Sequence, residues 1–477
     1  MPVTQSELES GLRRLVRDDQ VLSGAAVRKV YETDAYTVDR NPPLAVVLPE
    51  TTEEVSAIVQ WCRESRVPFT PRGAGTGLSG GAMPALGGIV ISTKKLTKLL
   101  STDLENRTML AQTGIANLRI TRMVEGDGLH FAPDPSSQSV STLGGNIAMN
   151  SGGPHTLKYG VTVQHVLGVR MVLSHGEIVQ IGGRCGEPPG YDLLSLVVGS
   201  EGTLGIVTEA WIVLTPIPEA IQTATACFPS VREASQAVAE IVKSGVLPAA
   251  LEMMDRAVLD AVQAAFGLEF PSATQAMLLI ECDGSPGQSS DDLHQLVEIC
   301  KKSRAIEVKV ARTADERMKL WTARKKGVGA LGRIAPTVVT HDGVIPPSKL
   351  PEMLEEVYRV AEEHGIAVAN IFHAGDGNLH PIFCFDEREP GKVDAVVKAG
   401  EEIIRKCIEL GGSVTGEHGI GVEKVDFLPL MYDEASMALQ GEIRTIFASD
   451  DLCNPCKVIP NAKGCIEHKV RWRGVAT

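Results

Sequence analysis

Pro71-Arg72-Gly73-Ala74-Gly75-Thr76-Gly77-Leu78-Ser79-Gly80-Gly81-Ala82 decides how the rest of this 477-residue chain is read. Five of the nine residues from Gly73 to Gly81 are glycine. Without side chains, φ > 0 is cheap and successive backbone N–H groups can turn toward one anion, so a pyrophosphate can lie against the main chain. A flexible surface loop is the plainer alternative. Strand-like runs on both sides, Val67 to Thr70 and Ile89-Val90-Ile91, tether the segment and favour the cradle. Gly75-x-Gly77-x-x-Gly80 also matches the dinucleotide fingerprint, but that fingerprint must open a helix, and here Gly81, Pro84, Gly87 and Gly88 follow. Loop amides, and not a helix dipole, are therefore expected to hold any phosphate.

Two further glycine zones follow. One runs from Pro133-Asp134-Pro135-Ser136-Ser137 through Thr142-Leu143-Gly144-Gly145-Asn146 to Ser151-Gly152-Gly153-Pro154-His155; the other is Gly199-Ser200-Glu201-Gly202-Thr203-Leu204-Gly205-Ile206-Val207. Three such loops between short strands suggest one extended ligand gripped at several points, as a dinucleotide would be.

The composition is that of a soluble protein: 43% hydrophobic, 22% charged, and a net charge of −13 without a basic block. Nucleic acid and anionic membrane surfaces are thereby disfavoured as partners. Met1 to Gln20 spaces Leu8, Leu12 and Leu15 on a helical face and lacks an apolar signal core, and no run approaches a membrane span; the cytoplasm is expected. Ten scattered cysteines read as reduced thiols, and Cys453-x-x-Cys456 followed only by Cys465 does not fit an iron–sulfur or four-ligand zinc site.

After Pro216-Ile217-Pro218 the pattern changes. Helix-like segments (231–244, 351–364, 393–410) alternate with strand-like ones (276–281, 306–311, 367–372), an order that predicts a sheet covered by helices on one face. His373-Ala374-Gly375-Asp376-Gly377-Asn378-Leu379-His380 places two imidazoles on the arms of a hairpin around an Asp-Gly turn. With one carboxylate they form a compact three-ligand set for Zn²⁺, Mn²⁺ or Fe²⁺, and Glu417, in Gly416-Glu417-His418-Gly419-Ile420-Gly421, is the best candidate. His418 is then the candidate general base, with a supporting partner of the metal as its alternative role.

The three loops and these two motifs resemble the FAD-linked 2-hydroxyacid dehydrogenases of the vanillyl-alcohol oxidase flavoprotein superfamily, over nearly the whole chain. The resemblance is greatest to the bacterial glycolate oxidase branch, with D-lactate and D-2-hydroxyglutarate dehydrogenases as near relatives. It implies an α+β fold: a two-lobed FAD-binding domain (residues 1–218), a substrate domain with an antiparallel sheet covered by helices (219–410), and a C-terminal segment (411–477) returning to the FAD domain. It implies FAD contacts from Arg72, Gly73, Ala74, Gly75, Thr76, Gly77, Ser79 and Gly80, from Pro135, Ser136, Thr142, Gly145, Asn146, Gly152 and Gly153, from Glu201, Gly205, Ile206 and Val207, and from Asn454. No histidine stands in the first loop, so FAD is expected to be non-covalent.

The same resemblance implies a divalent metal on His373, His380 and Glu417, and a fork from Arg324 onto the substrate carboxylate. The implied reaction is metal-assisted deprotonation of glycolate or D-lactate by His418, with hydride transfer to flavin N5. Relatives that accept dicarboxylates carry a basic residue where this chain has Thr340 and a polar one where it has Val328, so D-2-hydroxyglutarate is expected to be the poorer substrate, with Lys325, Lys326 or His341 as the alternative source of a second cation. Electrons would leave to partner proteins carrying iron–sulfur clusters, to a soluble flavoprotein or to a quinone. A metal-dependent hydrolase with merely structural glycine loops, and a non-catalytic FAD-binding subunit, are the rival readings.

Overall fold

A computed structural model describes residues 3–185 and 189–460, and divides into two compact units. Of the described residues, the first comprises 3–152, 161–185, 189–217 and 417–460, and the second 153–160 and 218–416. By contacts, then, the second unit begins at 218 and also takes Gly153–Gly160, while the chain rejoins the first unit at Glu417.

The first unit holds two sheets. In a four-stranded sheet the strand Phe69–Arg72 and the strand Ile89–Ser92 run parallel, and Ala45–Val47 flanks the latter. Between the two parallel strands stands the glycine loop, without a helix. Thr52–Glu64 is a helix because Thr51 caps it, its hydroxyl accepting from the Glu54 N–H, and because Val55, Ile58, Val59 and Cys62 form one buried stripe. That stripe packs with Phe69, Ile89 and Ile91, so the loop's two anchoring strands rest on one core. Leu8 and Leu12, on the helix Gln5–Arg13, join the same core. The other sheet has five antiparallel strands centred on Ile206–Val213, whose alternating burial marks one face turned inward. The C-terminal segment threads back here: Phe69 N–H bonds the Leu452 carbonyl at 2.9 Å, and Asn454 N–H bonds the Phe69 carbonyl at 2.8 Å.

In the second unit, the strands Ala220–Phe228, Ala250–Asp255, Ala276–Gly284 and Ala367–His373 belong to one antiparallel sheet. Ala250–Asp255 is buried at all six positions, so both sheet faces are covered. The helices Arg256–Phe266 and Ala314–Ala330 cover one face, where Val258, Val262 and Ala323 meet Met254, Met277 and Ile371. Val231–Ser244, Pro286–Lys302 and Leu350–Glu363 also contact the strands. The expectation of cover on one face understates this burial, because a strand buried on both faces loses the period-2 signal that would reveal it.

Eight described cysteines are free, seven of them buried; Cys456 is disulfide-bonded, which corrects the expectation of ten reduced thiols. Cys465 lies outside the described residues. No described helix is long and apolar enough to cross a membrane.

Candidate active site

In the first unit, Gly75 and Gly80 adopt φ of +74° and +77°. A Cβ on Gly75 would lie 2.1 Å from Arg72 Nη2, and one on Gly73 would lie 2.4 Å from Thr142 Oγ1. The left-handed backbone at Gly75 favours glycine, and both glycines leave room for the Arg72 and Thr142 side chains to lie against the loop. Thr142 caps the short helix Leu143–Met149, and its hydroxyl accepts from the Gly145 N–H. A cavity of about 330 Å³ opens at this meeting, lined by Arg72, Gly73, Ala74 and Thr142 and also by Tyr31, Ser92 and Lys94. Lys94 donates to the Tyr31 hydroxyl at 3.0 Å, and the Arg72 guanidinium lies 5.2 Å from the Tyr31 ring centre. Ser92 Oγ, buried on this wall, has no hydrogen-bond partner among the described residues. Two cations, an unsatisfied hydroxyl and glycine-lined walls fit part of an anionic dinucleotide.

Other expected cofactor residues fall around this centre in different ways. Gly205 has φ +145° and crowds the Val172 carbonyl, opening the strand that carries Ile206 and Val207, and the Val207 carbonyl accepts from the Thr113 hydroxyl at 2.7 Å. The Asn146 amide is committed to Asn117 Oδ1 at 2.8 Å. Pro135 and Ser136 do not line the cavity, and Gly153 belongs to the second unit. Asn454 is fully buried and donates to the carbonyls of Gly81 and Glu201. Lys457, also fully buried, donates to the Gly81 and Met83 carbonyls and to Asn454 Oδ1, so Asn454 and Lys457 brace the end of the glycine loop through backbone oxygens. Burial lowers the Lys457 ammonium from its ordinary value, against the opposing charges of Asp34 and Glu201.

In the second unit the hairpin forms as its turn chemistry demands: His373 pairs with Asn378, Gly377 takes φ +75°, and Asp376 accepts from the Asn378 N–H. His373 and His380 are both buried and meet edge to face, with ring centres 5.2 Å apart. His373 Nδ1 bonds Glu252 Oε1 at 2.7 Å, which fixes the orientation of the imidazole. Asp342 Oδ1 lies 3.8 Å from His380 Nδ1, while its other oxygen accepts from Thr415 Oγ1 at 2.5 Å and from the Gly416 N–H at 2.9 Å. Asp342 thus backs one imidazole and fixes the chain immediately before Glu417.

Arg324 is 3% exposed, and its Nε donates to Glu252 Oε2 at 2.5 Å while Nη2 pairs with the same oxygen. Burial pushes the Glu252 carboxyl up, but Arg324 and His373 outweigh it and hold it below its ordinary value. Arg324, Glu252 and His373 are therefore one buried charge chain. Among the described residues of this unit, Arg324 is the only buried lysine or arginine. Sequence reading missed Glu252 and Asp342. The available signal for Glu252 was a carboxylate inside the apolar strand Ala250-Leu251-Glu252-Met253-Met254, where an unpaired charge would be too costly to keep. Val328 packs against the apolar cluster around Val258 and Ile371, and the His341 ring lies against Gly400 and, at 5.1 Å between centres, Phe383.

Glu417 and His418 open the return to the first unit. There the His418 carbonyl accepts from the Ser79 hydroxyl at 2.9 Å. Glu201, expected among the cofactor contacts, turns its buried carboxylate to the N–H groups of Ile420 and Gly421 at 2.6 and 2.8 Å. Burial raises its pKa to about 7 against these two bonds.

Comparison with known proteins assigns residues 43–182 to an FAD binding domain and residues 217–458 to the C-terminal domain of FAD linked oxidases. The chain is 38% identical to glycolate oxidase subunit GlcD of Escherichia coli, over 96% of this chain and 90% of that protein. It is 40% identical to GlcD of Bacillus subtilis, over 91% and 92%. It is 34% identical to D-lactate dehydrogenase of Archaeoglobus fulgidus, over 90% and 96%. In fold it is similar to 4-ethylphenol oxidase from Gulosibacter chungangensis, with a TM-score of 0.80 at 16% identity, covering 96% of this chain and 97% of that one. p-Cresol methylhydroxylase gives 0.79 at 16%, covering 95% and 97%.

Proposed function

Because the chain belongs to the FAD-linked oxidases, we propose that it oxidises a small 2-hydroxy acid, glycolate or D-lactate, to the 2-oxo acid. The hydrolase reading lapses with the FAD binding domain. Arg72, the amides of Gly73 to Gly80, Thr142 and Lys94 would hold FAD, and His373, His380 and Glu417 a divalent metal. When bound, FAD supplies a two-electron acceptor, and the metal a Lewis acid that acidifies the substrate hydroxyl. Arg324 Nη1, which has no hydrogen bond among the described residues, binds the substrate carboxylate while Glu252 holds the guanidinium plane. His418 takes the hydroxyl proton at a ring nitrogen.

The observation that carries this reading is the Glu252 carboxylate bonded at once to Arg324 and to His373 Nδ1. It fixes the anion-binding group and the aim of His373 Nε2 with one buried group. A site with one buried cation suits a monocarboxylate, because a second carboxylate would enter unpaired. Electrons leave to an iron–sulfur partner subunit, a soluble flavoprotein or a quinone; the GlcD relatives are themselves named as subunits.

Elemental analysis of His373→Ala and His380→Ala tests the metal set. Each variant is expected to lose bound divalent metal and activity while keeping FAD; metal retained in both would remove the set.

A further inference from the structure

The segment Glu417–Val422 has almost no regular structure of its own, yet its backbone is held by hydrogen bonds from other parts of its own unit. The Ser79 hydroxyl donates to the His418 carbonyl at 2.9 Å, Glu201 accepts from Ile420 and Gly421, and the Ser79 carbonyl accepts from the Val422 N–H at 3.0 Å. The approach is close enough to demand glycine: a Cβ on Gly419 would lie 2.7 Å from Glu201 Oε1, and one on Gly421 would lie 1.9 Å from the Ser79 carbonyl oxygen. Glu201 itself sits at φ +53°, an unusual conformation for a residue with a side chain, and is 5% exposed. Its backbone carbonyl in turn accepts from Asn454 at 2.7 Å. The carboxylate is thus aimed by its own backbone and spends both oxygens on amides two and three residues beyond His418.

We propose that Glu201 is a positioning residue for His418: its carboxylate fixes the backbone of residues 418–421 so that the imidazole meets the substrate hydroxyl in one orientation. The inference rests on His418 as the base. One side chain that accepts from two successive N–H groups fixes both amides at once, which suits a segment without helix or strand to stiffen it. Displacement of a catalytic group by about 1 Å costs up to about 10²-fold in rate.

The test is a double-mutant cycle on the FAD-loaded enzyme, read as the rate of flavin reduction by D-lactate or glycolate in anaerobic stopped flow. Glu201→Gln keeps the shape but turns one acceptor into a donor. It is expected to slow reduction by roughly 10- to 100-fold with KM little changed, and to leave reoxidation by a soluble dye acceptor at its normal rate. In a His418→Ala background the same substitution should cost less than about threefold, because the group it positions is gone. Equal losses in both backgrounds, or a normal reduction rate in Glu201→Gln, would overturn the proposal. Should Glu201→Gln fail to retain FAD, Ser79→Ala enters the same cycle. It removes one neutral hydrogen bond to the His418 carbonyl, with an expected loss of about two- to tenfold in the native background and none in His418→Ala; equal losses overturn the proposal there too. A His418→Ala enzyme that reduces its flavin at a near-native rate would instead sink the assignment of the base.

Discussion

Replacing Arg324 by methionine separates its two roles, because the structure says what is left behind. Glu252 has a fully buried side chain and Arg324 exposes 4% of its own, so Arg324→Met strands a carboxylate whose remaining partner is the His373 imidazole, 2.7 Å away. Breaking a buried pair from one side costs about 3–5 kcal/mol, since the surviving charge keeps its burial and loses its partner. The second unit has 8 residues in Gly153–Gly160 and 199 in Pro218–Gly416, 207 in all. For a unit of this size each kcal/mol lowers Tm by about 2–4 °C, which gives a fall of roughly 6–20 °C. Adding Glu252→Gln removes the stranded charge, and Gln can still accept from His373 Nδ1–H; the double variant should recover at least half of the loss. Activity should not return with stability, because the substrate carboxylate still lacks its cation. The assay is scanning calorimetry on the FAD-loaded proteins beside turnover. A Tm within about 3 °C of native in Arg324→Met would refute the charge chain, and recovered turnover in the double variant would refute the substrate role.

Two further outcomes follow from the first unit. The protein is expected to be yellow and to release FAD into the supernatant on acid or heat denaturation, since the first loop offers no histidine for attachment; flavin absorbance remaining in the washed precipitate would contradict this. Gly421→Ala, which drives a methyl group into the Ser79 carbonyl at φ +53°, should destabilise by about 1–3 kcal/mol and weaken flavin retention, both measured by following fluorescence of released FAD against temperature; an unchanged release temperature would show that the segment is not packed as described.

Much of this was legible in the residues, and for identifiable reasons. Glycine announces backbone geometry directly, so the Gly73–Gly81 loop, its flanking parallel strands and the Gly377 turn between His373 and His380 could be placed from sequence. The helix Val231–Ser244 has the limits its Ser230 cap and apolar spacing imply. What stayed hidden is long-range pairing. Glu252 lies 72 residues from Arg324 and 121 from His373, and Glu201 lies 219 from Ile420; no local period records such partners. Glu201 shows the limit from the other side. A glycine-rich setting and family resemblance pointed to the cofactor, and neither could show that its carboxylate also bonds the backbone beyond His418.

Anaerobic flavin bleaching across a panel of glycolate, D-lactate, L-lactate, D-malate and D-2-hydroxyglutarate tests the central claim most directly, because it isolates the step in which the substrate gives up its electrons and needs no physiological acceptor. The account predicts rapid loss of the oxidised flavin band with glycolate or D-lactate, and reduction by D-2-hydroxyglutarate slower by roughly 10²-fold, the penalty of a second carboxylate without a cation. Fastest reduction by D-2-hydroxyglutarate or D-malate would overturn the preference for a small acid, and a flavin that no 2-hydroxy acid in the panel reduces would contradict the proposed reaction itself.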